Sequence, residues 1–102
     1  MNEFDIEFAE TAKEDLDRLH TFLLQIDADL ADHALNTVLS AFQTIQRHPY
    51  ICRKAQQGDF GITWRELLIT FGSSGYVALF EIVHNALVRV VAARHQRESD
   101  YH

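Results

Sequence analysis

Cysteine, proline and glycine are all scarce in this chain: one Cys, one Pro and four Gly in 102 residues. A lone Cys52 cannot form an internal disulfide, so a reducing, cytoplasmic compartment is the natural expectation. No apolar run approaches the roughly 20 residues of a membrane span, and the start, Met1-Asn2-Glu3-Phe4-Asp5, is acidic where a secretory leader would be basic. Basic residues are also few. Nine Lys and Arg face fifteen Asp and Glu, a net charge of −6, which disfavours a long phosphate-tracking groove. His20, His33 and His48 are too far apart to form a metal motif, and no Cys/His or HExxH-type spacing occurs, so neither metal nor cofactor is expected.

What is present is ordinary globular material. The chain is 47% hydrophobic, and 102 residues are enough for one domain with one core. The charge is unevenly spread. Residues 1–32 hold ten acids against Lys13 and Arg18, a balance of −8; residues 33–102 hold five acids against seven bases, a balance of +2. A compact site built on a few arginines in the second part is compatible with this distribution.

Phe4, Ile6 and Phe8 alternate with Asp5 and Glu7, the period of a half-buried strand. Thr11-Ala12-Lys13-Glu14 matches a capping box, which predicts a helix start there. Ala12, Leu16, Leu19, Leu23 and Ile26 then recur on one helical face, with Asp15 and Asp17 toward solvent. Asp27-Ala28-Asp29 breaks the pattern and supplies an N-cap for a second helix. That helix buries Leu30, Ala34, Val38, Ala41, Phe42 and Ile45 and runs to about Arg47, where His48-Pro49 stops it. Two amphipathic helices joined by so short a break fold back as a hairpin.

Residues 50–61 read as a loop, and beyond it the period changes to two. Strands are expected over Trp64–Phe71, 76–83 and 87–94, joined by Gly72-Ser73-Ser74-Gly75 and His84-Asn85. The order β-α-α-β-β-β predicts a single α+β domain over residues 1–102. Its N-terminal helix hairpin packs on one face of a mainly antiparallel sheet, and part of the sheet surface stays open.

Chemistry concentrates at the C-terminal end. Arg94, His95, Arg97 and Tyr101, with Arg89 upstream on the same strand, combine cations with a phenol. Such a set stabilises charge on a phosphate and moves protons. The plainer alternative is a solvated chain end whose charges pair with Glu98 and Asp100. Cys52 has no neighbouring His to activate it, Trp64 reads as a core or rim anchor, and no helix follows the Gly72–Gly75 turn to make it a phosphate loop.

The element order, together with Arg65-Glu66-Leu67, Ser74-Gly75-Tyr76 and Arg94-His95-Gln96-Arg97-Glu98 with Tyr101, resembles the RelE/ParE toxins of type II toxin–antitoxin systems, some known as plasmid stabilisation proteins. The resemblance covers nearly the whole chain and implies a cognate antitoxin as partner. RelE-type members cut mRNA on the ribosome with basic side chains on the strand matching Trp64–Phe71 and an arginine after the Gly-Tyr of the next strand. The matching positions here are Leu68, Thr70 and Val77, none of them basic. Arg97 and Tyr101 fall where that branch has its tail arginine and tyrosine, and His95 or His102 stands where some relatives use a tail histidine.

ParE-like members, whose long helix hairpin is matched here, inhibit DNA gyrase by protein–protein contacts without a catalytic set. The first reading is therefore a ParE-like gyrase inhibitor, with Arg65, Arg89, Arg94, His95, Arg97 and Tyr101 as target- or antitoxin-binding residues. DNA enters only through the antitoxin complex. A RelE-like nuclease using Arg97, Tyr101 and His95 is the alternative, and a non-toxic member that only binds its antitoxin is the third. A groove between helices and sheet, plus an open strand edge, is expected to receive an amphipathic helix and an added strand of the antitoxin, covering Arg89 and Arg94.

Overall fold

The computed structural model of the chain describes residues 3–55, 63–84 and 86–97. Strand β1 (Asp5–Phe8) leads into helix α1 (Glu10–Leu24), which a short link joins to helix α2 (Ala28–Arg47). A 3-10 turn at Pro49–Ile51 and a two-residue strand β2 (Arg53–Lys54) follow. The long strands are β3 (Trp64–Phe71), β4 (Ser74–His84) and β5 (Leu87–His95). The sheet order is β1-β5-β4-β3-β2; β1 lies parallel to β5 and every other pairing is antiparallel. The helix hairpin lies on one face, the α+β arrangement that the periodicities imply.

Pleating sorts the strand residues. Ile69, Tyr76, Ala78, Phe80, Val88 and Val90 point toward the helices and meet Ala12, Ala34, Val38, Phe42 and Ile45 in one core. Alanines at the interface let the helices sit close to the sheet, while Phe80 and Ile45 fill the volume between them. Phe8 closes the β1 end edge-on against Phe42, with ring centroids 5.1 Å apart. Arg65 is on the same face at the far end of β3, where its guanidinium donates to the carbonyls of Tyr50 and Cys52 at 3.3 and 2.8 Å and so ties down the segment after α2.

Several local expectations need correcting. The capping box does not form: α1 starts at Glu10 with Ala9 as N-cap, and no side chain caps it. Thr11 is already inside the helix, where its hydroxyl donates to the Val91 carbonyl of β5 at 2.6 Å. Asp15 is not on the solvent side. It is 1% exposed and accepts the backbone N–H of Ala93 at 2.9 Å. Ile26 lies in the interhelix link and is 63% exposed, and Leu30, in the first turn of α2, is exposed as well. Asp27 does cap α2, accepting from the Asp29 and Leu30 N–H groups. Only Gly72-Ser73 form the first turn: Ser74 and Gly75 already pair with Phe71 and Thr70. The loop after α2 contains the 3-10 turn and β2, too short to leave a periodic signal.

Candidate functional site

The two faces of β5 carry different chemistry. Arg89 sits on the face away from the helices, opposite Glu7 of β1 on one side and Glu81 of β4 on the other. It donates to both carboxylates, with a 2.9 Å contact to Glu81. The hydrogen bond to Glu7 is the largest cause of the rise in the Arg89 pKa above its ordinary value. Cross-strand pairs of this kind hold register, and here they neutralise the cation within the chain. Arg53 and Glu66, likewise opposite one another on β2 and β3, form a further pair at 3.4 Å.

One row of this open face bears most directly on function. Leu68 of β3 is in register with Val77 of β4, and Val77 with Arg94 of β5. Leu68 is 47% exposed and Val77 only 1%. The Arg94 guanidinium donates to the carbonyls of His95 and Gln96, each at 3.3 Å, so it is turned toward its own chain end. Thr70 is exposed two residues beyond Leu68.

His95 points the other way, into a cleft between the C-terminal half of α1 and the β3–β4 hairpin. The cleft has a volume of about 660 Å³ and is lined by Leu19, Phe22, Leu23, Phe71, Tyr76 and Arg97 among others; none of its described lining residues is a carboxylate. The ring is fixed on three sides. Its Nδ1 accepts the Arg97 backbone N–H at 3.1 Å, which makes Nε2 the protonated nitrogen of the neutral ring and the donor to Ser74 Oγ at 3.1 Å. Tyr76 packs edge-on with centroids 5.6 Å apart. Phe22 stands at the cleft mouth and is 61% exposed. Periodicity missed this aromatic, because it falls off the buried stripe of α1.

The residues singled out at the C-terminal end therefore do not converge. Arg89 is enclosed by carboxylates, Arg94 lies on the open face, His95 and Arg97 belong to the cleft, and Arg65 anchors the segment after α2. Tyr101 and His102 lie outside the described residues. Among the described residues no three His, Cys, Asp or Glu side chains gather as metal ligands, and no helix is long and apolar enough to cross a membrane.

Residues 6–100 match the sequence model of the ParE toxin of the type II toxin–antitoxin system parDE. The chain belongs to the ParE toxin family. A second similarity extends the same conclusion: over 93 residues it is 30% identical to toxin RelE3 of Caulobacter vibrioides, covering 91% of this chain and 95% of that protein. Among solved structures, a chain of the chromosomal ParDE toxin–antitoxin system of P. aeruginosa superposes with a TM-score of 0.66 at 13% identity, covering 90% of this chain and 95% of the other. That likeness is one of fold. The protein is thus a type II toxin of the RelE/ParE superfamily, and membership implies a cognate antitoxin.

Proposed function

We propose that this ParE-family toxin acts by binding a protein target, DNA gyrase, and not by cutting RNA. The row Leu68–Val77–Arg94 carries this reading. RelE-type nucleases resemble this chain but hold cations at the first two of those positions. Catalysis of 2′-hydroxyl attack needs positive charge aimed at the phosphate and a group to move protons. Here the row offers a leucine, a buried valine and one arginine directed at its own chain end, while Arg89 is already matched by Glu7 and Glu81. Arg97 lines the cleft on the opposite side of the sheet from Leu68 and Val77.

The cleft suits protein contact. An exposed phenylalanine beside Tyr76, Phe71, His95 and Arg97 gives an apolar centre with a cationic rim, the composition found at protein interfaces. The cognate antitoxin has a second foothold. β2 pairs only with Arg65 and Glu66 of β3, so among the described residues no strand covers the outer edge of β3 from Leu67 onward, where an extended segment can add. Arg94 is the basic residue that such a segment would cover; Arg89 needs no anion from a partner.

The identity to a toxin named RelE3 favours ribosome-dependent mRNA cleavage as the second reading, with His95, Arg97 and Tyr101 as its acid–base and charge-stabilising groups. Induced expression without the antitoxin separates the two. Gyrase inhibition triggers a DNA-damage response with translation continuing at first; cleavage on the ribosome stops translation without one. Neither response from folded, well-expressed protein would mean a member that only binds its antitoxin.

A further inference from the structure

We infer that Thr11 and Asp15 of α1 are positioning residues for the toxin's C-terminal end, because they hold a bulge in β5 that decides which face each tail side chain occupies. The register shows the bulge directly. Phe80 is opposite Val90 and the preceding Leu79 is opposite Ala92, so Val91 has no partner on β4. Side chains alternate along a strand, and one inserted residue reverses the alternation beyond it. Val88 and Val90 face the helices before the bulge; Ala93 and His95 face them after it. Without Val91's insertion, His95 would emerge on the open face and Arg94 in the cleft.

The backbone beside the bulge is where α1 intervenes. β1 pairs with β5 only as far as Phe8 and Val90, after which the Ala9 N–H takes the Val90 carbonyl at 2.9 Å. The next polar groups on that edge lack a strand partner. Thr11 donates to the Val91 carbonyl at 2.6 Å, and Asp15 accepts the Ala93 N–H at 2.9 Å. The two side chains are four residues apart, one helical turn, so a single face of α1 satisfies the groups on both sides of the bulge. Asp15 is buried to 1% exposure and also pairs with Arg18 at 3.8 Å, so its placement is specific. An unsatisfied carbonyl or N–H at this depth would favour a shift to regular pairing. Downstream, the His95 ring takes the Arg97 N–H and gives to Ser74, so the bulge also fixes the turn that presents Arg97.

The structural part of this inference is independent of the target. Its consequence for toxicity rests on the proposal that the cleft binds gyrase. The test is amide exchange and imidazole nitrogen NMR on the full chain, compared among the parent, Asp15→Ala, Asp15→Asn and deletion of Val91. Asp15→Ala should speed exchange at Ala93 at least tenfold relative to Val88, about the effect of one lost hydrogen bond. It should also move the His95 nitrogen signals, and Asp15→Asn, which keeps an acceptor, should restore both. Deleting Val91 should abolish the ring contact of His95 with Tyr76, and this readout holds if Asp15→Ala unfolds the chain.

Ala93 exchange rising only in step with Val88, unchanged His95 signals, or a His95–Tyr76 contact that survives the deletion would each overturn the inference. Growth inhibition that persists in a folded variant whose His95 signals have moved upholds the positioning role. It refutes the binding role of the cleft instead.

Discussion

Replacing Gly75 by alanine should break the hairpin that carries Ser74 and Tyr76, and the structure sets the size of the effect. A Cβ at Gly75 would lie 2.0 Å from the Ile69 carbonyl oxygen, 3.0 Å from its carbon and 3.2 Å from the Thr70 Cα. All three are backbone atoms, so no side chain can swing aside. Real Cβ contacts essentially never fall below 3.0 Å, so β3 and β4 must separate by about 1 Å there. That disrupts the pairing at Thr70–Gly75 and Ile69–Tyr76 and loosens the buried Ile69 and Tyr76 side chains. Two weakened ladder bonds at about 1 kcal/mol each, plus partial loss of packing, give about 2–4 kcal/mol.

Gly72→Ala is the control. Its φ of +63° strains an L-residue, but nothing lies within 4 Å of the added Cβ, so the cost is about 1–2 kcal/mol. Urea unfolding of both variants, with m-values compared, measures the difference. Equal destabilisation, or Gly75→Ala within about 0.5 kcal/mol of the parent as at an unconstrained surface site, would refute the close approach of the two strands.

Three further outcomes follow from the same geometry. Asp15→Ala should lose about 2–3 kcal/mol, because it removes a charge-assisted hydrogen bond and strands the buried Ala93 N–H; Asp15→Asn should lose roughly half as much, as thermal unfolding will show. Burial raises the Cys52 thiol above its ordinary 9.0, against an opposing effect of Arg65, and raises the Tyr76 phenol above its ordinary 10.0. The folded state therefore holds these protons more tightly than the unfolded state. Their contribution is intact below about pH 9 and declines as pH rises through the folded values, which stability measured from pH 7 to 11 will reveal. Phe22→Ser should leave stability within about 0.5 kcal/mol, since the ring is largely exposed, yet weaken target binding at least tenfold in a titration with purified gyrase.

The sequence was legible where one physical signal dominated. The alternation of Leu67, Ile69 and Phe71 marks β3 to the residue, and Asp27 and Pro49 bracket α2 because capping and the lost N–H act locally. β4 and β5 extend slightly past the expected 76–83 and 87–94, because apolar alternation gives no sign of where pairing ends. The bulge was hidden for a related reason. Val90-Val91-Ala92-Ala93 contains no polar residue that could mark a reversal of faces, so the expected tail cluster could not be sorted into its two sides. Asp15 was misplaced by its charge alone. Its spacing from Ala12 and Leu19 puts it on the buried stripe, and only the groups that β1 leaves unpaired on β5 explain why a carboxylate is needed there. The capping box failed similarly, because Thr11 bonds a distant strand and not its own helix. Family membership, in contrast, was legible from element order and the tail motif, because those features do not depend on which way a side chain points.

The most direct test of the account is a plasmid supercoiling assay with purified gyrase, the antitoxin-free toxin and ATP, stopped with detergent and protease. Linear, gyrase-cleaved DNA should accumulate with toxin concentration and disappear when the antitoxin is added. Uncleaved, normally supercoiled plasmid, with mRNA cut when the same preparation meets translating ribosomes, would contradict it.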